Sequence, residues 1–139
     1  MSHARLPRYT LIASALVFPV CGADLCSHMT YENRNQVDYG PVALKRLRGK
    51  AIDPSGVPVP GVCVGLFRES DHILIAASAT HADGGFALRN PPPGDYRLVA
   101  TYSAFGAANA RVRLGRGAQG VVLRMRPSGI DTTSYIESK

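Results

Sequence analysis

The sequence has few of the residues that usually indicate a binding chemistry. It contains no tryptophan, and aromatic residues make up 7% of its 139 positions. Sandwich domains that bind sugars usually present exposed aromatic rings, which offer a large, flat apolar surface. After residue 23, Tyr31, Tyr39, Phe105 and Tyr135 are the aromatic residues outside the segments that alternate like strands. Carbohydrate binding is therefore an alternative function rather than the first expectation.

The N-terminal apolar run is too short to cross a membrane. Residues 10–20 (TLIASALVFPV) are apolar, whereas a membrane-spanning helix needs roughly 20 such residues. Arg5 and Arg8 precede this run, and the small-residue segment Cys21-Gly22-Ala23 follows it. The pattern predicts a signal peptide over 1–23 with cleavage after Ala23, and hence a secreted or periplasmic protein without a stable membrane span.

Two other interpretations of this segment stay open. The apolar run is also compatible with a buried hydrophobic helix. A lipoprotein would be anchored through Cys21, but Phe18-Pro19-Val20 is a poor match to the small residues that normally precede a lipidated cysteine.

Cysteine is scarce, with three residues in the whole chain. Removal of the signal peptide takes away Cys21 and leaves Cys26 and Cys63. A pair of cysteines in an oxidising compartment suggests one disulfide, which closes a loop of 37 residues and contributes about 3–4 kcal/mol on the loop-entropy model. Two unpaired thiols in a cytosolic protein are the alternative. Without a CxxC motif, the cysteines do not predict a zinc site.

Motifs of catalysis, phosphate binding and metal binding are also missing. The chain has no G-x-S-x-G motif, and Gly115–Gly120 (GRGAQG) precedes neither a lysine nor a helical pattern. His28, His72 and His81 do not fall at the i, i+2 or i, i+4 spacings that place two ligands on one face of a strand or helix. We therefore predict no catalytic residue, no cofactor and no metal site.

The chain has a moderate excess of positive charge. It carries 16 basic and 10 acidic residues, and 14 basic and 10 acidic once Arg5 and Arg8 are removed with the signal peptide. Seven basic residues alternate along three predicted strands: Arg46, Arg48, Lys50, Arg111, Arg113, Arg124 and Arg126. These rows predict an anion-binding face for a glycan or protein partner, unless they only solvate the surface and guard edge strands. Nucleic acid is not expected, because export separates the protein from it and no aromatic residues are interleaved for stacking.

Turn clusters break the mature chain into short alternating apolar runs about ten residues apart. This spacing is typical of an all-β sandwich. The strands are predicted at 44–52, 61–67, 73–80, 85–89, 95–102, 110–114 and 120–126. They define a sandwich over 44–127, after an extended leader at 24–43 and before a flexible tail at 128–139. The mature chain of 116 residues is long enough for one such domain.

The alternation within two of these strands predicts which side chains face the core. Val62, Val64 and Leu66 share one face of the second strand, so Cys63 lies on the outer face, where the leader can reach it. In the fifth strand, Tyr96 shares the inner face with Leu98 and Ala100. We expect the Tyr96 hydroxyl to bond to a nearby backbone group, because a buried phenol needs a partner.

Three motifs in order resemble the carboxypeptidase regulatory-like domain family over residues 46–126. The matching residues are Gly49, Ala51, Asp53, Gly56, Pro58, Pro60, Gly61 and Val64, then Thr80, Asp83, Gly84 and Phe86, then Pro93, Gly94 and Tyr96. Ala51 stands where the family usually has a larger aliphatic residue. The resemblance implies a seven-stranded, Greek-key β-sandwich of the transthyretin (prealbumin) type, within the group of folds described as carbohydrate-binding-like.

The resemblance also carries an expectation about function. Domains of this family are typically non-catalytic and accompany metallocarboxypeptidases, outer-membrane receptors and surface proteins. We therefore expect an exported binding or accessory module at the cell envelope. A small transthyretin-like enzyme is a further alternative, although the chain lacks the C-terminal tyrosine-arginine-glycine-serine motif of the hydroxyisourate hydrolases.

Overall fold

Two β-sheets stack face to face in the computed structural model, which describes residues 26–33, 41–103, 105–127 and 134–139. The strands of these ranges are β1 (Val42–Leu44), β2 (Arg48–Ile52), β3 (Cys63–Arg68), β4 (Leu74–Ala79), β5 (Gly85–Ala87), β6 (Gly94–Tyr102), β7 (Phe105–Leu114), β8 (Val121–Arg124) and β9 (Tyr135–Ser138). Sheet A has the order β1-β7-β6-β3-β4 and sheet B the order β5-β2-β8-β9. The predicted all-β sandwich is confirmed.

Most neighbouring strands run antiparallel, with two exceptions. β1 pairs parallel with β7, and β2 pairs parallel with β8. Each parallel pair joins an early strand to a late one, so both sheets depend on contacts between distant parts of the chain. No helix within the described ranges is long and apolar enough to cross a membrane.

The main core lies between the two sheets and is built by strand alternation. Val64 and Leu66 of β3 face Leu98 and Ala100 of β6 across their shared register and are fully buried. Tyr96 belongs to the same core, and its hydroxyl donates a 2.6 Å hydrogen bond to the Pro92 carbonyl. The predicted faces of both strands and the predicted hydroxyl partner are confirmed.

The predicted first strand, 44–52, is divided in two by the structure. β1 joins sheet A and β2 joins sheet B, so the chain crosses from one sheet to the other between them. Asn90 fixes this crossing: its side-chain oxygen accepts from Leu47 N (3.1 Å), and its amide donates to Lys45 O (2.8 Å). Alternation alone could not reveal this crossing between the sheets. β1 also begins earlier than predicted, at Val42, which lies inside the segment 24–43 predicted as leader.

The end of the chain also differs from its prediction as a flexible tail. β9 pairs antiparallel with β8, with Ile136 opposite Leu123 on the core side. Ser134 Oγ accepts a 2.8 Å hydrogen bond from Arg126 N just before the strand begins. This part of the tail is the outer strand of sheet B, whereas residues 128–133 lie outside the described ranges.

Two glycines of the family motif are needed for backbone geometry. Gly84 has a φ of 76°, and a Cβ atom there would lie 2.6 Å from the Ala51 carbonyl oxygen. Gly49 lies where β2 pairs with β8, and a Cβ atom would overlap the Val121 carbonyl. Both positions therefore require glycine for close approach, and Gly84 also for its left-handed conformation.

Candidate functional site

A disulfide fixes the leader to the outer face of sheet A. Cys26 and Cys63 are bonded with an S–S distance of 2.08 Å and a Cα–Cα distance of 5.3 Å. Cys63 is the first residue of β3 and, as predicted, points away from the inter-sheet core. The predicted bridge is confirmed, while the predicted cleavage position lies outside the described residues. We call residues 26–33, which follow the bridge, the clamp.

The clamp rests on a strand face with little side-chain bulk. Gly65 follows Cys63 on the outer face of β3, and a Cβ atom there would lie 2.7 Å from Met29 Sδ. Farther along, Tyr31 meets the ring of Phe67 edge-on, with centroids 5.8 Å apart. Glycine at position 65 therefore lets the clamp approach the sheet closely.

The clamp covers a second apolar layer, separate from the main core. Phe67 is 2% exposed and Val99 is fully buried, although both alternate onto the outer face of sheet A. Neither belongs to the inter-sheet core cluster. The burial of an outer-face residue requires a cover, and the contact between Tyr31 and Phe67 shows that the clamp contributes to it.

A polar cluster closes this layer at the end of β3. Glu69 accepts two hydrogen bonds from Arg97, from Nε at 3.2 Å and from Nη2 at 3.1 Å, in a forked geometry. Tyr31 donates a 2.8 Å hydrogen bond to Glu69 Oε1. Arg97 Nη1 donates to Asn109 Oδ1 at 3.0 Å, and the guanidinium also lies 5.4 Å from the Tyr31 ring centroid. We call Tyr31, Glu69, Arg97 and Asn109 the clamp cluster.

The clamp cluster shifts the ionisation of its own members. Burial opposes ionisation of Glu69, but hydrogen bonds from Arg97 and Tyr31 outweigh it and hold the pKa of the carboxyl below its usual value. Burial, together with the hydrogen bond to Glu69, raises the pKa of the Tyr31 phenol. Both shifts favour an ionised Glu69 and a neutral Tyr31, the forms that the hydrogen bonds require.

His72 completes the clamp contacts from a turn before β4. Its ring stacks on Tyr31 with centroids 3.6 Å apart and planes 8° from parallel. His72 has a φ of 59°, a left-handed conformation that is uncommon outside glycine. Asp71 supports this turn by accepting from Ile73 N at 3.2 Å and pairing with Arg68 at 2.8 Å. No motif or periodicity in the sequence predicts this stack.

An open depression lies beside the clamp cluster. It has a volume of about 470 Å³ and is lined by Arg68, Glu69, Ser70, Asp95 and Tyr96. Its two carboxylates already bind arginines: Glu69 binds Arg97, and Asp95 pairs with Arg113 at 3.0 Å. A ligand in this depression would therefore meet carboxylates whose charge is already balanced by arginine side chains.

The structure divides the seven basic residues of the predicted anion-binding face between two surfaces. Arg111 and Arg113 lie on β7 in sheet A, whereas Arg48, Lys50 and Arg124 lie on β2 and β8 in sheet B. Arg46 precedes β2, and Arg126 follows β8. Because the outer faces of the two sheets point in opposite directions, one ligand on a flat face cannot contact both groups.

Several of these basic side chains have an internal partner. Arg113 pairs with Asp95, and Arg124 Nε donates to Glu137 Oε2 at 2.7 Å. Arg126 lies over the ring of Tyr135, 5.4 Å from its centroid. These contacts leave the outer face of β2 as the best-placed part of the predicted anion-binding face.

Small residues surround the two cations of β2. Arg48 lies opposite Ala87 of β5, and Lys50 lies opposite Gly85 of β5 and Val122 of β8. Both side chains are exposed, and Arg48 Nε donates to the Gln119 carbonyl at 3.2 Å. With neighbours this short, an extended anionic chain can approach both charges without steric hindrance. We call Arg46, Arg48 and Lys50 the basic row.

The histidines of the described residues occupy three separate places in the structure. His28 is an exposed residue of the clamp, His72 stacks on Tyr31, and His81 lies in the turn before β5. Within the described ranges, no group of three or more His, Cys, Asp or Glu side chains is arranged to hold a metal ion.

Comparison with known protein families assigns this chain to one of them. The model of the carboxypeptidase regulatory-like domain matches residues 46–126, which is more than half of the sequence. The chain belongs to the carboxypeptidase regulatory-like domain family. No curated protein matches it.

Comparison with solved structures agrees with the fold of this domain. The chain is similar to a 5-hydroxyisourate hydrolase from Klebsiella pneumoniae, with a TM-score of 0.52 and 24% identity, covering 68% of this chain and 93% of that one. At this identity the likeness shows a transthyretin-like sandwich and nothing about activity. A 3-chlorocatechol 1,2-dioxygenase from Rhodococcus opacus is more distant, with a TM-score of 0.42 and 10% identity, covering 75% of this chain and 63% of that one.

Proposed function

We propose that the chain is an exported, non-catalytic sandwich module that binds a partner at the cell envelope. The Cys26–Cys63 bridge is the observation that carries this proposal, because stable disulfides form in oxidising compartments outside the cytoplasm. Membership of the carboxypeptidase regulatory-like family supports the accessory role.

The ion pairs of the outer surface support a binding role over a catalytic one. Glu69 and Asp95, the acidic residues of the depression, each bind an arginine. The clamp cluster favours the ionised form of Glu69, so this carboxylate is a poor proton donor near neutral pH. Its four members satisfy one another and hold the clamp in place.

The basic row provides the binding surface of this proposal, and an acidic polysaccharide is its ligand class. Arg48 and Lys50 lie two residues apart on one strand face, about 7 Å along the strand. Their neighbours on β5 are Ala87 and Gly85, whose small size leaves both charges accessible to a ligand on the flat sheet face. Such a surface attracts a repeating anionic chain through charge, without an aromatic platform.

The proposal is tested by measuring how the mature protein binds heparin and polygalacturonate, with dextran as the uncharged control. We expect salt-sensitive binding to the acidic polymers. The double variant Arg48→Ala/Lys50→Ala should weaken it by about two- to thirtyfold, the range for two exposed charge contacts. The matched control Arg113→Ala/Arg124→Ala removes the same net charge from internally paired arginines and should have a much smaller effect. Equal losses in both variants would show only non-specific attraction.

An enzymatic function is the second candidate, favoured by the likeness to 5-hydroxyisourate hydrolase. The sequence contains no tyrosine-arginine-glycine-serine motif of the hydroxyisourate hydrolases. We therefore expect the purified protein to leave the spontaneous decay of 5-hydroxyisourate unchanged. Acceleration in proportion to protein concentration would favour the hydrolase and overturn the non-catalytic role.

A further inference from the structure

β4 is the outermost strand at one edge of sheet A, and it carries no charge that would oppose pairing with another strand. β4 has the sequence LIAASA, without a charge or a proline, and all six residues are half-buried. It pairs with β3 on one side and is the last strand of sheet A on the other. An uncharged edge strand of this length is a template for pairing with another strand.

The hydrogen bonds of Thr80 show which backbone groups face the open side. Thr80 N donates to Val62 O at 2.9 Å, and Thr80 O accepts from Gly61 N at 3.0 Å, so both groups point toward the neighbouring strand. Main-chain groups alternate in direction along a strand. Ala79 and Ala77 therefore direct their N–H and C=O groups away from β3. The pairing of β3 with β4 is regular from Ala77 to Thr80. The bulge of this strand pair lies outside that stretch, between Leu66 and Phe67 of β3.

The outer strands at the other sheet edges are shorter or protected. β1 has three residues and follows Pro41, and Ala118 covers its outer side by donating to the Ala43 carbonyl at 3.0 Å. β5 has three residues and is soon followed by three prolines, Pro91–Pro93. β9 has four residues and carries Glu137. Within the described part of the chain, β4 therefore stands out as the edge best suited to association.

We propose that β4 pairs antiparallel with β4 of a second copy of this chain, about a two-fold axis at Ser78. Sheet A then continues across the interface into the same sheet of the other copy. In this register Ala77 lies opposite Ala79 of the second copy, and Ala79 opposite its Ala77. Each such pair exchanges two main-chain bonds, so the outward groups form about four hydrogen bonds.

The side chains of β4 complement themselves in this register. Ser78 faces its own copy at the axis, where the closer spacing of a non-hydrogen-bonded pair suits small side chains. Ala76 lies opposite Thr80, and Ile75 lies opposite His81. No position between Ile75 and Thr80 sets like charges against each other, the arrangement that would oppose pairing. The edge of β4 is therefore complementary to the same edge of a second copy, as a two-fold interface requires.

Sedimentation velocity on the oxidised mature protein, from micromolar to near-millimolar concentration, tests the proposal. We expect a concentration-dependent shift from one chain mass to twice that mass. Ala77→Pro removes an outward N–H without removing a bond to β3 and should abolish the dimer. Ala77→Ser keeps the N–H and should retain it. Ser78→Lys places two like charges opposite each other and should weaken the dimer at least about tenfold, whereas Ser78→Thr should not.

Amide hydrogen exchange on the unmodified protein locates the interface independently of any variant. The amides of Ala77 and Ala79 should become protected as the concentration rises, while those of β9 should not change. A protein that stays monomeric throughout would overturn the proposal. So would a dimer that persists in folded Ala77→Pro and Ser78→Lys proteins, because it would use another surface.

Discussion

The hydroxyl of Tyr31 donates a 2.8 Å hydrogen bond to Glu69 Oε1, across 38 positions of sequence. This bond joins the clamp to the loop that follows β3, at the opposite end of the strand from the Cys26–Cys63 bridge. The clamp is therefore held at two points, one covalent and one polar. Between them, Met29 and Tyr31 pack on Gly65 and Phe67.

The clamp cluster makes stability depend on pH at the acidic end. The pKa of Glu69 is lower in the folded protein than its reference value of 4.5, so the folded state favours the ionised carboxyl. This contribution is fully present above about pH 4.5 and is lost as the pH falls through the folded pKa. We expect the melting temperature to fall in that range, with protease cleavage near Tyr31 appearing before global unfolding.

A matched variant isolates the contribution of Glu69. Glu69→Gln keeps the shape but cannot ionise, so it should be less stable at pH 7 and should show a shallower loss of stability below pH 4.5. Asp95→Asn serves as the control, since its pair with Arg113 is mostly exposed and contributes little. If Glu69→Gln loses as much stability below pH 4.5 as the wild type does, other carboxyls produce that loss.

At alkaline pH the effect on stability has the opposite sign: the contribution of Tyr31 is lost as the pH rises. The pKa of the phenol is raised above 10.0 by burial and by the hydrogen bond to Glu69, so the folded state favours the neutral form. Its contribution is present below pH 10 and is lost as the pH rises through the folded pKa. Ultraviolet titration should show a tyrosine that ionises late in the wild type. Tyr31→Phe should remove that late step, and an unchanged titration curve would contradict the assignment.

Removal of the disulfide should release the clamp while leaving the sandwich folded. Cys26→Ser/Cys63→Ser should lower the free energy of unfolding by up to about 3–4 kcal/mol, the value for a loop of this length. The expected local effect is rapid proteolysis within 26–33 and faster amide exchange along β3. If the double variant resists proteolysis like the wild type, the polar and apolar contacts of the clamp suffice without the bridge.

Tyr96 should separate the contribution of its ring from that of its hydroxyl. Tyr96→Ala removes a buried ring and should cost about 3–5 kcal/mol. Tyr96→Phe keeps the ring and loses only the bond to Pro92 O, so it should cost about 1 kcal/mol. Urea unfolding of both variants measures these values. Equal losses would mean that the hydroxyl bond, rather than ring burial, dominates at this position.

Gly49 should be much less tolerant of substitution than another glycine of the same motif. Gly49→Ala places a methyl group against the Val121 carbonyl, where β2 and β8 pair, and should cost about 3 kcal/mol or more. Gly56 has a φ of 81° but open space around its Cβ position, so Gly56→Ala should cost only about 1–2 kcal/mol. Thermal unfolding of the two variants gives the comparison, and similar melting temperatures would contradict the close approach.

Strand periodicity and cysteine position made much of this structure predictable. Alternation in 61–67 placed Val64 inward and Cys63 outward. Removal of Cys21 with the predicted signal peptide left Cys26 as the partner of Cys63. Alternation in 95–102 likewise placed Tyr96 in the core. These features follow from local sequence, because the side chains of a strand alternate between its two faces.

The clamp cluster and the sheet crossing were not predictable in the same way. Glu69, Tyr31 and Arg97 come from a loop, the clamp and a strand, and no periodicity connects them. The crossing depends on a side chain 43 positions away, Asn90, which bonds to Leu47. Charge alternation predicted one anion-binding face but could not assign β7 and β8 to opposite sheets, because sheet membership depends on long-range pairing.

Intact mass and peptide mapping of the protein recovered from a bacterial host, expressed with its own N-terminus, test the central claim most directly. The account predicts a periplasmic chain that begins at Asp24 and is about 2 Da lighter under non-reducing conditions, the mass of two hydrogens lost in one disulfide. Peptides containing Cys26 and Cys63 should be linked until reduction. A cytoplasmic chain that retains residues 1–23 and alkylates freely at both cysteines would contradict export and the clamp together.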